Sequence, residues 1–275
     1  MLRTRVILSP YDSGHCRRRM GCGPERIFER TKPLFGRLGV EFDSDEVKLE
    51  NTFLAEISSA FQLSRQISDR VRQCCQEGIF PIVLSGNCNA AIGTVSGCGA
   101  HETGIVWFDG HGESTTPETT VSGFLDGMPI SILLGRAWHT LAKSVPGFSP
   151  ILGNRIVLFG ARDLEPAEHT LLETAGVRQM ATVEQLRKHL SSPAEEINQV
   201  YLHVDLDVLD ASVATSNQWT SPNGISLEVL IQATKEVKTH ARIAALGIAS
   251  YDPQVDQEGK ALAAAVAVTE AVLRE

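Results

Sequence analysis

Ile105–Asp126, IVWFDGHGESTTPETTVSGFLD, opens with four apolar residues and then sets Asp109, His111 and Glu113 on alternate positions. An apolar run of this length reads as a buried strand. In extended backbone, alternate side chains point to the same side. Three oxygen or nitrogen donors therefore converge where the chain turns out of a sheet. Buried carboxylates without partners make a poor core, because each charge loses its water and gains nothing in return. They make a good cradle for a divalent cation. About a hundred residues on, Val204-Asp205-Leu206-Asp207 repeats the pattern, with two carboxylates again at spacing two.

Outward from these two stretches, short apolar runs alternate with helical periodicity. Strands are expected at Arg5–Pro10, Pro81–Leu84, Gly104–Asp109, Arg155–Gly160, Gly176–Met180, Gln199–Asp205 and Arg242–Ser250. Helices are expected to open near Pro24, over Thr52–Gln76 (apolar Leu54, Ile57, Phe61, Ile67, Val71), from Ala90, and over Met128–Leu141. Further helices are expected over Ala167–Ala175, Val183–Leu190, Ser226–His240 and Gly259–Leu273. Tyr11–Pro24 reads as a Gly- and Arg-rich loop, and the acidic span from about Val40 to Asn51 as irregular surface. Such a βαβ chain implies an α/β fold with a mostly parallel sheet covered on both faces, one domain spanning residues 1–275. In these sheets ligands bind at the carboxyl edge. Asp109, Asp163, Asp205, Asp207 and Asp252 all fall at such points.

At 275 residues the chain is long enough for a full core, and 43% apolar with 21% charged residues is ordinary for a water-soluble globule. A net charge of −8 without a Lys/Arg run argues against nucleic acid. Arg17-Arg18-Arg19 is too short a patch and reads as a solvated loop. No stretch reaches the roughly 20 apolar residues of a membrane span, and no secretory pattern opens the chain, so a cytoplasmic protein is expected. The six cysteines include no C-x-x-C pair and read mostly as inert free thiols. Oligomeric state, monomer or homo-oligomer, is left open.

Four pieces taken together are specific: SGNCN after one strand, DGHGESTTPE after the next, GARDLEP after a third, and HVDLDVLD after a fourth. The set resembles the ureohydrolase family of arginases and agmatinases, whose marks are G-G-D-H-S, D-A-H-x-D-x-N-T-P and S-x-D-x-D-x-x-D-P. The resemblance implies a three-layer αβα sandwich around an eight-stranded parallel sheet, with two manganese ions. Asp109 and Asp205 would bridge both ions. Cys88 and Glu113 would complete one, and His111 and Asp207 the other. A hydroxide between the ions would attack a guanidinium carbon, releasing urea or hydroxyurea. Hard carboxylates suit manganese, and a bound cation acidifies water.

Several positions depart from the family. Cys88 replaces the His of the first motif, and its softer thiolate allows another divalent metal, zinc or iron, in place of manganese. The plainer reading is a buried thiol beside a single ion. Asp126 stands where the catalytic His is expected, and an ordinary carboxyl pKa near 3.9 makes it a weak proton donor unless burial raises it. Thr115 replaces an Asn that reads the substrate's α-carboxylate, Ser122 matches the family's Ser, and Phe124 replaces the Asn that follows. Glu165 aligns with an Asp that contacts the α-amino group. Ser250 replaces the Glu that pairs with the guanidinium. Cys in the first motif, D-G-H-G and T-P-E-T-T place the chain nearest a subset that includes Nω-hydroxy-L-arginine amidinohydrolase. The substrate expected is therefore a guanidino or N-hydroxyguanidino compound. The alternative is a catalytically silent arginase-like paralogue with a structural or regulatory metal. A deacetylase on the related fold is disfavoured, since no adjacent histidines occur. His203 reads as a packed or hydrogen-bonded core residue rather than a third ligand, Arg162-Asp163 as a structural ion pair, and Trp219 as either pocket wall or packing.

Overall fold

The computed structural model describes residues 2–50, 55–192 and 197–274. The chain forms β1 (Arg3–Ser9), a ribbon of β2 (Tyr11–Asp12) and β3 (His15–Cys16), α1 (Gly23–Leu38), β4 (Glu41–Glu46), α2 (Glu56–Gln76), β5 (Phe80–Ser85) and α3 (Ala90–Cys98). Next come β6 (Gly104–Phe108), α4 (Pro129–Leu133), α5 (His139–Ala142), β7 (Ile156–Phe159), α6 (Pro166–Ala175), β8 (Arg178–Met180) and α7 (Val183–Leu190). The last elements are β9 (Gln199–Asp205), α8 (Leu227–His240), β10 (Arg242–Ala249) and α9 (Lys260–Leu273).

Eight strands make one parallel sheet in the order β4-β1-β5-β10-β9-β6-β7-β8. Alternate residues of each strand feed opposite faces. Val6, Leu8, Val106, Phe108, Leu202 and Val204 pack with apolar residues of α1, α8 and α9. Ile105, Trp107, Tyr201 and Ala249 face the other way, toward α3 and α4. Both faces are covered, so the strands read as continuous apolar runs. Removing one of these side chains, as in Leu202→Ala, is expected to cost about 2–5 kcal/mol.

The chain passes from β5 to β6 across the two positions that β10 and β9 fill later. Loops leaving these four central strands separate at the carboxyl edge and open a crevice there. Asp109 follows β6 directly, and Asp205 ends the neighbouring β9.

Three expectations are corrected. The acidic stretch after Val40 is an edge strand: β4 pairs with β1, and Phe42 packs on Phe28 and Phe35. An edge exposed on both sides needs no apolar alternation, which hid it. Met128–Leu141 is two short helices, because Gly135 (φ +71°) and Trp138 (φ +48°) take left-handed backbone between them. Tyr11–Pro24 contains the small β2–β3 ribbon. The helix expected from Thr52 is seen from Glu56, and Thr52 and Leu54 lie outside the described residues. Among the described residues, no helix is long and apolar enough to cross a membrane.

Candidate metal centre

The sheet sets the floor of the pocket. Asp109 is fully buried and accepts hydrogen bonds from Trp107 Nε1 (2.8 Å) and His111 N (2.7 Å). Asp205 accepts from Asp207 N (2.9 Å) through one oxygen, and its other oxygen lies 3.1 Å from Cys88 Sγ. Asp207 accepts from Gly110 N (3.1 Å) and Asn217 Nδ2 (3.1 Å). His111 Nδ1 sits 3.4 Å from carboxylate oxygens of both Asp109 and Asp207. Glu113 is held in left-handed backbone (φ +50°), and its Oε2 is buried with no hydrogen-bond partner. A non-glycine residue in that conformation costs energy and recurs at ligand sites.

Cys88 reaches this floor from the turn between β5 and α3. Gly86 makes the turn possible: a Cβ there would lie 2.3 Å from the Tyr11 carbonyl. Donor atoms of Asp109, His111 and Asp207 lie within 4.8 Å of one another, as do those of Cys88, Glu113 and Asp126, and those of Cys88, Asp109 and His203.

The charges explain what this arrangement lacks. Burial, then Asp207, raises the Asp109 pKa to about 6. Burial, then neighbouring acids, pushes Glu113 and Asp205 well above the carboxylate range. Burial opposes ionisation of Asp207 too, but the His111 charge and the hydrogen bonds from His111, Asn217 and Gly110 win and hold it low. Burial also opposes charge on His111, and Asp207 and Asp109 outweigh it and raise its pKa. The partners of these acids are backbone amides, Trp107, Asn217, Cys88 and His111, none of them lysine or arginine. An unpartnered Glu113 oxygen and acids that resist ionising fit a site built to receive divalent cations.

Asp126 is buried beside the floor. Its oxygens accept from Asn87 Nδ2 (2.7 Å) and Asn89 N (3.2 Å). Burial raises its pKa to about 8 despite these bonds, so it holds a proton at neutral pH. Ser250 also has left-handed backbone (φ +60°), and its Oγ lies 3.4 Å from Cys88 Sγ.

A cavity of about 410 Å³ leads outward from the floor. Thr115, Ser122, Phe124, Glu165 and Ser250 all line it. The Thr115 hydroxyl is turned away to donate to Gly127 O (2.7 Å). Ser122 is exposed at the rim. Phe124 stacks on Trp219 (centroids 5.5 Å apart), and Arg19 lies over the indole at 5.9 Å. Trp219 is thus pocket wall. Arg19 also pairs with buried Asp12 (2.7 Å), so the arginine cluster is not merely solvated.

Sequence reasoning missed several supporting residues. Glu168 is buried and accepts from Ser114 N (2.9 Å) and Glu165 N (3.0 Å). The spacing Glu165-x-x-Glu168 at a helix start was the available signal. Asn217 ties Asp207 to the Ser250 carbonyl, and nothing in the sequence marks it. His203 is a core residue as expected, but it faces Cys88 at 3.2 Å; its place two before Asp205 marks a shared face of the strand, not that contact. Arg162 makes no ion pair with Asp163 among the described residues. It donates instead to the carbonyls of Asp207, Leu209, Ser221 and Pro222.

A family profile described as "Arginase family" matches residues 3–273. An arginase from Bacillus subtilis is 28% identical, over 98% of this chain and 96% of its own. The solved structure of an arginase from Bacillus caldovelox superposes with a TM-score of 0.88 at 25% identity, covering 100% and 99% of the two chains. That of an agmatine ureohydrolase from Thermoplasma volcanium gives 0.71 at 16% identity, over 99% and 88%, and shares the fold.

Proposed function

The chain belongs to the arginase family of metal-dependent hydrolases, and on that premise we propose that it cleaves a C–N bond of an N-hydroxyguanidino compound, with release of hydroxyurea. In this reading Cys88, Asp109, Glu113 and Asp205 would hold one cation, and Asp109, His111, Asp205 and Asp207 a second. Manganese suits the carboxylate side of that set. When bound, the cations supply a water acid enough to lose its proton near neutral pH.

Asp126 carries the reading. A carboxyl group whose pKa is raised by burial, fixed by Asn87 and Asn89 and lining the cavity, is poised to give its proton to a departing nitrogen. Ser250 supports it from the other side. A hydroxyl group at that wall offers no full negative charge to a guanidinium, whereas an N-hydroxyguanidine is less basic and needs less of one. The rim offers the Ser122 hydroxyl and the Glu165 carboxylate to the amino-acid end, beside the Phe124 ring.

Kinetics of the manganese-loaded chain on Nω-hydroxyarginine and on arginine test this. The expected result is a higher kcat/KM for the hydroxylated substrate, with hydroxyurea as product. Faster release of urea from arginine would overturn the substrate assignment. No turnover on any guanidino compound would favour a silent paralogue.

A further inference from the structure

Next to Cys88, the ring of His203 is stacked on Trp107 with centroids 3.7 Å apart. Its Nε2 lies 3.2 Å from Cys88 Sγ, and its Nδ1 lies 2.7 Å from the Tyr201 hydroxyl. A neutral imidazole that donates from Nδ1 to the Tyr201 oxygen presents its Nε2 lone pair on the side of the sulfur. Gly247 leaves room for the arrangement, since a Cβ there would lie 2.0 Å from the Tyr201 hydroxyl.

Nε2 at 3.2 Å and Asp205 Oδ2 at 3.1 Å both approach the Cys88 sulfur. Donors of a tetrahedral zinc site lie about 3.5 Å apart, given bonds of about 2.3 Å to sulfur and about 2.0 Å to nitrogen. The donor atoms of Cys88, Asp109 and His203 lie within 4.8 Å of one another and are all buried. A ligating imidazole whose other nitrogen donates to a fixed oxygen is the usual supporting arrangement.

We propose that Cys88 Sγ and His203 Nε2 bind one divalent cation together, completed by Asp109 and Asp205, with His203 in the place that the proposed function gives to Glu113, so that the deep end of the pocket takes zinc or a similar borderline cation in preference to manganese. This rests on the reading of the pocket as a metal centre. Nitrogen and sulfur donors favour such ions, and carboxylates alone do not.

The test is cobalt(II) added to the metal-stripped full chain, followed by absorption. The expected spectrum has a thiolate-to-cobalt charge-transfer band in the near ultraviolet and intense tetrahedral bands in the visible. Cys88→Ser should abolish the first band. His203→Ser should keep it, shift the visible bands and weaken zinc binding at least about tenfold. The unmodified chain gives the first readout without any variant, and circular dichroism checks that the variants fold. Cobalt bound without the thiolate band would overturn the inference and leave the metal centre standing. So would a His203→Ser protein that binds zinc as tightly as the parent. A chain that binds no zinc, cobalt or manganese would sink both.

Discussion

At the floor of the pocket, Asp109 and Asp205 are placed by the pairing of β6 with β9, and both are buried. At the mouth, Arg19, Phe124 and Trp219 come from three separate loops and meet through one stack of rings and a guanidinium. Backbone ladders fix the first region, and the second rests on contacts worth about 1 kcal/mol each. The floor is therefore suited to chemistry that tolerates little displacement. The mouth can change with the substrate.

The largest effect is expected at the floor. Asp205→Asn should lose bound metal and lower turnover at least about a hundredfold. The same change should stabilise the metal-free protein, because it removes a buried acid crowded by Asp207 and Asp109. Calorimetry with and without metal checks this, and a less stable metal-free variant would break the picture of a floor under electrostatic load.

Asp126→Asn comes next, with kcat lowered about 10²–10⁴-fold and KM little changed. In the parent the acid form does the work, so kcat should fall as pH rises past the pKa of this carboxyl group, which burial raises and neighbouring cations lower. The variant should lack that limb.

Metal-free stability should also depend on pH. Between about pH 6.5 and 8, Asp126 keeps a proton when folded that it releases when unfolded, and burial and neighbouring charges shift Glu113, Asp205 and His111 in the same direction. The native state then binds more protons than the unfolded state, so stability falls as pH rises. His203, lowered to about 3 by burial, acts in the opposite sense only below that window. Tm of the stripped protein should drop from pH 6.5 to 8, and added metal should stabilise most at the upper end. A flat profile would mean that the acids are not strained.

The smallest effect belongs to the mouth. Trp219→Ala should raise KM by about fivefold, the equivalent of about 1 kcal/mol of stacking, with kcat little changed. A large loss in kcat would erase the distinction between floor and mouth.

The same division decides what was legible in the sequence. Alternating acids after an apolar run, at Asp109 and again at Asp205, follow from strand geometry and could be read directly. Burial on both faces made the central strands equally plain. The edge strand β4 was hidden because neither of its faces is a core face. The break at Gly135 and Trp138 was hidden because good helix formers surround it. The Arg19–Trp219–Phe124 stack joins residues some two hundred positions apart, and local pattern carries no trace of it. His203 lies between the two cases: its alternation with Asp205 was visible, but its meeting with Cys88 needed the fold.

The most direct test of a floor built for cations is the metal content of the stripped chain after dialysis at pH 8 against excess manganese and zinc. The account predicts two divalent cations per chain and a higher Tm. A chain that returns from dialysis with none, its Tm unmoved, would contradict it.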